Sequence, residues 1–278
     1  MEGTLCMGGV DLRAARLFNK DSGRAFITAF DHGSTVGPRP GSENAVEVIG
    51  RIISGNPDGI LMAPGIMKQA GHLFGFRGAP APIVRADWIF NHDSMKALPA
   101  PLQDREQGEH YRVVCTPEQA LNMGAEALTM FLIVGTDDGA EFADNVYELS
   151  HTIEQANAIG LPVIVESVLW GTRLMDDQRN AELRALAARM AAELGADMIK
   201  TTYTGDTESM RQVVAGCPVP VLVLGGVRSD TPEPVLQATR DALAAGARGA
   251  VYGRNVWQAD DPVEMCRLLR GVIHGEAA

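Results

Sequence analysis

Short apolar runs rich in Val, Ile, Leu and Ala recur eight times along this chain, each followed by a stretch with helical periodicity. That alternation is the signature of parallel strand-and-helix units, and it restricts the fold more than any other feature. The runs place strands at Ala25–Phe30, Gly59–Met62, Pro82–Ala86, Ala127–Val134, Pro162–Glu166, Asp197–Thr201, Pro220–Leu224 and Gly249–Tyr252. Helices are legible between them: in Arg179–Leu194 the side chains of Leu183, Leu186, Ala187, Met190 and Leu194 fall on one face. Start signals agree. Thr116-Pro117-Glu118-Gln119 supplies an N-cap, a proline at the first helical position and a capping-box glutamine, and Thr231-Pro232 and Asp261-Pro262 repeat the cap-then-proline pattern. Gly124, Gly160, Gly195 and Gly246 stand where helices stop, each leading into a strand within a few residues.

Eight such units without a break in composition, in a chain of 278 residues, predict one (βα)8 TIM barrel spanning residues 1–278, with a short helix at Asp11–Phe18 before the first strand. A doubly wound open sheet is the alternative, and the lack of a Gly-x-Gly-x-x-Gly after the first strand disfavours it. The regularity fails once. About 28 residues, Asp87–Cys115, separate the third strand from its helix and carry Trp88, Phe90, His92, Lys96 and Tyr111. At the catalytic face of a barrel such an extended loop covers the site or sets specificity; a subunit-contact hairpin is the other reading.

The formal net charge of −11 argues against nucleic acid or an anionic membrane surface as a partner. A phosphorylated small molecule remains compatible, held by backbone amides and a few local arginines. Cys6, Cys115, Cys217 and Cys266 are far apart without a CxxC pair, and the six histidines show no ligand spacing, so neither a disulfide framework nor a bound metal is expected. With no charged-then-apolar leader and no apolar run of about 18 residues, the expected location is cytoplasmic.

In a (βα)8 barrel the chemistry comes from the C-terminal ends of the strands. Those ends carry Asp31-His32-Gly33, Arg85 with Asp87, Glu166, Lys200, Gly225-Gly226-Val227-Arg228 and Gly253-Arg254. Lys200 stands out as one of four lysines among 24 basic residues, closing the apolar run Ala196-Asp197-Met198-Ile199-Lys200. An ammonium at the end of a core strand is costly to bury unless paired or used. Desolvation lowers a lysine pKa by up to about 3–5 units, towards the neutral amine that attacks carbonyls. The alternative is a lysine that snorkels to solvent or pairs with an aspartate.

Asp31 suits proton transfer to and from a carbinolamine, removal of the hydroxyl proton during carbon–carbon cleavage, or an Asx-turn with Gly33. Glu166 is a second acid or base, or a partner for Lys200 or Arg85; His32 reads as a strand-end cap. Gly225-Gly226 and Gly253-Arg254 follow strands seven and eight, where such barrels cradle a phosphate on backbone N–H groups, with Arg254 adding bidentate contacts. A carbonyl trap, a proton shuttle and an anion anchor on separate strands are the parts of a Schiff-base aldolase, which requires no metal or organic cofactor.

Five segments carry a family resemblance: Asp31-His32-Gly33, Met198-Ile199-Lys200-Thr201, Gly216-Cys217-Pro218-Val219-Pro220, Gly225-Gly226, and Gly253-Arg254-Asn255-Val256-Trp257-Gln258. From Phe26 to the final helix the chain resembles the class I (Schiff-base) aldolases of the DeoC/FbaB family, which include the archaeal-type fructose-bisphosphate aldolases and the LsrF-like proteins. The resemblance implies that Lys200 is the Schiff-base lysine, Asp31 the acid/base aspartate, and the two glycine turns the phosphate cradle. It also implies carbohydrate metabolism and homo-oligomers built from rings, often decamers.

One position departs from the pattern. The fructose-bisphosphate aldolases use a tyrosine near the end of strand five, whereas Val168 stands there in Glu166-Ser167-Val168-Leu169-Trp170-Gly171, leaving Tyr203 or Glu166 as replacements. The LsrF-like proteins also lack that tyrosine, share similarity at Asp177-Gln178-Arg179, and resemble thiolase-type transferases that pass an acetyl unit to coenzyme A. The first reading is therefore an aldolase acting on a phosphorylated keto sugar or related phosphorylated ketone. The second is acyl transfer from a phosphorylated dione, with coenzyme A as co-substrate. A non-catalytic ring scaffold binding phosphate ligands is the third.

Overall fold

A computed structural model describes residues 8–90, 110–136, 138–170, 179–226 and 228–276. The strands are β1 Ala25–Phe30, β2 Gly59–Met62, β3 Ala81–Arg85, β4 Asp87–Phe90, β5 His110–Val113, β6 Ala127–Val134, β7 Val163–Leu169, β8 Met198–Thr202, β9 Val221–Leu224 and β10 Gly249–Tyr252. Eight of them close a parallel barrel in the order β1-β2-β3-β6-β7-β8-β9-β10, with β10 pairing back onto β1. The helices among the described residues are α1 Gly9–Arg16, α2 Gly33–Val36, α3 Ala45–Ser54, α4 Pro64–Ala70, α5 Pro117–Asn122, α6 Gly139–Ala158, α7 Ala181–Glu193, α8 Thr207–Ala215, α9 Glu233–Ala244, α10 Arg254–Trp257 and α11 Pro262–His274. None is long and apolar enough to cross a membrane.

The predicted barrel is present, and the bounds of β1, β2, β6 and β10 coincide with the expected runs. β7 differs. It continues to Leu169 because β6 pairs with it from Leu128↔Val163 to Val134↔Leu169, so Glu166 lies within the strand rather than at its end. The stretch after β3 holds a two-stranded antiparallel ribbon, β4 against β5. The chain leaves the barrel at Ala86, whose carbonyl accepts from the returning Val114 and Cys115 N–H groups at 2.8 and 3.0 Å. His92 and Lys96 lie outside the described residues, as do Cys6, Gly171, Asp177, Gln178 and Val227.

Most boundary signals act as expected. Thr116 and Gln119 form a reciprocal capping box, Asp261 accepts from the N–H groups of Val263 and Glu264, and the four stop glycines take φ between 76° and 102°. Thr231 does not cap: α9 starts at Glu233, Pro232 is already helical at φ −63°, and no side chain caps that end. The buried face of α7 is also displaced from the expected one. Arg184, Ala187, Ala188 and Ala191 face the barrel, while Leu186 is half exposed. Alanines let the helix approach the strands closely, which leaves the bulkier leucines on its flanks.

Two apolar cores result. One fills the space between the strands and the surrounding helices, with Phe26, Ile60, Met130 and Val223 among its members. The other lies inside the barrel, where Ala25, Ile27, Ile83, Ile164, Met198 and Leu222 meet. Leu17, immediately after α1, is fully buried in that interior core and stops the barrel's lower mouth.

Candidate active site

Side chains alternate along a strand, so the residue two positions beyond an inward one is inward again, one layer nearer the mouth. Above the apolar interior that rule carries β3 from Ile83 to Arg85, β7 from Ile164 to Glu166, and β8 from Met198 to Lys200. The register sets Glu166 directly beside Lys200 on adjacent strands. Asp31 follows the last residue of β1.

These four residues form one connected charge network. Lys200 Nζ lies 2.8 Å from Glu166 Oε2, and the same oxygen accepts from Arg85 Nη2 at 2.5 Å. Arg85 also holds Asp31 Oδ2, with Nε at 2.9 Å and Nη2 at 2.8 Å, and reaches Asp87 Oδ1 at 3.4 Å. Lys200 is 5% exposed and Arg85 3%. The guanidinium stacks over the Phe131 ring at 3.8 Å to its centroid, an arrangement that suits a desolvated arginine.

Burial drives the Asp31 carboxyl towards a higher pKa, but Arg85, Lys200 and His32 together outweigh it and hold Asp31 well below the usual carboxylate range. Glu166 is likewise lowered, its burial overcome by Lys200 and then Arg85. Asp87 behaves differently. Burial pushes it up to about 6, against the pull of Arg85 and of the Phe131 N–H, which donates to Asp87 Oδ2 at 2.5 Å.

The structure thus brings Lys200, Asp31 and Glu166 together, as the sequence suggests, and adds Arg85 as the hub between them. It does not bring Tyr203. That hydroxyl is 3.4 Å from Asp241 on α9, and burial followed by the Asp241 charge pushes the phenol up to about 12. Val168 is buried two residues beyond Glu166 on the same face of β7, so no phenol stands at that step. Arg184, to which the sequence assigns no role, backs the strand from outside by donating to Ser167 O at 3.0 Å.

The glycine turns after β9 and β10 form one surface. Arg254 Nη2 donates to Gly226 O at 3.0 Å and Asn255 Nδ2 to Gly225 O at 3.3 Å. Packing within the protein explains two of the glycines. A side chain at Gly225 would meet the Tyr252 ring at 2.4 Å, and one at Gly253 would meet the His32 ring at 2.5 Å. Gly226 has φ +66° with open space on its side-chain direction.

His32 is both the N-cap of α2 and a wall of the site. Its ring packs against Gly253 and edge-on to Trp257, with Nδ1 3.6 Å from Asp31 Oδ1. Burial pushes its imidazole below the usual range, overriding the opposing pull of Asp31. His32 also lines a cavity of about 480 Å³, bounded by Asp31, Phe30, Trp257 and the start of α4.

Comparison with known proteins points the same way. The model of the DeoC/LacD family aldolases matches residues 25–259. An uncharacterised aldolase of Saccharolobus solfataricus is 36% identical over 98% of this chain and 96% of its own length. The 2-amino-4,5-dihydroxy-6-oxo-7-(phosphonooxy)heptanoate synthase of Streptomyces griseus is 31% identical over 95% of this chain and 89% of its own. Among solved structures, an archaeal fructose-1,6-bisphosphate aldolase with its catalytic lysine covalently bound to the carbinolamine intermediate superposes with a TM-score of 0.81. It is 27% identical over 95% of this chain and 99% of that one.

Proposed function

The chain belongs to the DeoC/LacD family of aldolases, and from that premise we propose that it makes or breaks a carbon–carbon bond in a phosphorylated ketone through a Schiff base on Lys200. The observation that carries this reading is the buried chain Lys200–Glu166–Arg85–Asp31, which pairs an amine with two carboxylates inside the barrel mouth.

Lys200 Nζ passes a proton to Glu166 and attacks the substrate carbonyl carbon, giving a carbinolamine. Glu166 returns that proton to the carbinolamine hydroxyl, which leaves as water, and an iminium remains. Asp31 then removes the proton from the β-hydroxyl. The C–O bond becomes the carbonyl of a departing aldehyde, and the electrons of the broken carbon–carbon bond flow into the iminium to give a neutral enamine. Asp31 returns its proton to the enamine carbon, and water releases the ketone. Asp31 owes part of its low pKa to the positive charge on Lys200. The enamine step removes that charge as the carboxylate takes up a proton, so no net charge develops in the buried site.

The phosphate class rests on the joined turns Gly225-Gly226 and Gly253-Arg254 and on two relatives. Fructose bisphosphate and the heptanoate named for the Streptomyces protein are both phosphorylated ketones. The test is borohydride reduction in the presence of dihydroxyacetone phosphate or fructose 1,6-bisphosphate, read by intact mass and peptide mapping. An adduct on Lys200, absent from Lys200→Ala, is expected. An unmodified wild-type mass across the panel would overturn the reading.

Val168 at the step beyond Glu166 keeps acyl transfer to coenzyme A as the second reading, since neither route then relies on a phenol there. Product formation that requires an added thiol would favour it.

A further inference from the structure

We propose that the cavity beside Asp31 and His32 receives the aldehyde half of the substrate, and that it selects a predominantly apolar aldehyde without a second phosphate. The inference rests on the proposed role of Asp31 as the group that takes the β-hydroxyl proton.

Aldol cleavage fixes the layout. The carbonyl carbon is bonded to Lys200, the carbon bearing the β-hydroxyl becomes the aldehyde carbon, and the base sits against that hydroxyl. Everything beyond that carbon extends past the base, away from the lysine. Of Asp31, Arg85, Glu166 and Lys200, only Asp31 lines the cavity. Its Oδ2 is committed to Arg85, and Oδ1 lies on the side of His32. The phosphate turns lie across the His32 ring, which packs against Gly253. The imidazole thus touches both the glycine turn at Gly253 and the cavity.

The walls give the class of aldehyde. Phe30, Ala45, Ala63, Pro64, Ile66 and Trp257 give the cavity an apolar wall, and about 480 Å³ falls within the range of small-molecule sites. A phosphate dianion needs several convergent donors or cations. Among the described lining residues one side chain is permanently cationic, Arg39, which is exposed, and Ser34, Ser42 and Gln69 add uncharged donors. His32 adds no positive charge at neutral pH, because burial keeps its imidazole below the usual range. The carboxylate of Asp31 repels an anion placed beside it. Apolar contacts, by contrast, gain from every methylene transferred out of water.

Full-length protein assayed in the synthetic direction with dihydroxyacetone phosphate as donor tests the assignment. The acceptors are butanal, 3-phenylpropanal and glyceraldehyde 3-phosphate. We expect kcat/KM at least tenfold higher for the apolar aldehydes. Ile66→Trp, which fills the cavity, should lower that value at least tenfold while borohydride still traps dihydroxyacetone phosphate on Lys200. Preference for glyceraldehyde 3-phosphate, lost in Arg39→Ala, would overturn the pocket assignment alone. So would an Ile66→Trp enzyme with unaltered acceptor kinetics. Failure of trapping in the wild type would instead remove the Schiff-base reading and the pocket with it.

Discussion

Arg85 gathers carboxylates from three parts of the chain: Asp31 after β1, Asp87 at the start of β4, and Glu166 within β7. Removing one partner of a buried ionic cluster leaves charges uncompensated and costs about 3–5 kcal/mol. Arg85→Met should therefore lower the denaturant-derived stability by that order, and a loss under 1 kcal/mol would show that the cluster relaxes without it. Asp87 makes a prediction of its own. With its folded pKa raised from 3.8 to about 6, its contribution is fully present below the unfolded value and is lost as pH rises through about 6. Above that pH its charge costs about 3 kcal/mol at 1.36 kcal/mol per unit. Between pH 5 and pH 8 the melting temperature of Asp87→Asn should therefore gain on that of the wild type. A difference that stays constant across that range would contradict the assignment.

Helix ends show how far local sequence reaches. Asp261 accepts two N–H bonds at the start of α11, so Asp261→Ala should cost about 1 kcal/mol in chemical denaturation. Thr231→Ala should cost under about 0.5 kcal/mol, because no side chain caps α9. Both carry the same cap-then-proline signature, but the N-cap of α11 is the aspartate, whereas the N-cap of α9 is the proline itself, whose side chain has no oxygen to accept a bond. Strand positions were legible because each run is continuous and almost wholly buried. The ribbon of β4 and β5 was legible only as the alternative hairpin and without strand bounds, since its two pieces are short and pair across 19 intervening residues. Nor did apolar periodicity find the barrel-facing side of α7, where small residues and an arginine hold positions that the pattern gives to leucine. The site residues Asp31, Glu166 and Lys200 were legible as strand-end charges. Arg85 as their hub was not, because its bonds reach 54 and 81 residues along the chain and only closure of the barrel brings those partners together.

At the scale of the molecule the barrel interior is divided by height. Leu17 and the alternating apolar residues fill the lower part, and the charge network occupies the layer above. Leu17→Ala should cost about 2–5 kcal/mol, as for other fully buried leucines, while leaving the trapping of ketone on Lys200 intact. Loss of trapping at a temperature where the variant remains folded would show that the plug also shapes the upper layer. The same division by depth separates two kinds of electrostatics. Dissolved ions screen exposed charges within about 10 Å at 0.1 M but reach buried pairs far less. The ion pairs of Lys200 and Arg85 are sealed inside the barrel, whereas the bond between Arg254 and the Gly226 carbonyl is exposed. Ionic strength therefore acts mainly at the rim, where it would weaken capture of the proposed phosphorylated substrate, and far less on the buried pairs that serve the proposed bond-breaking step.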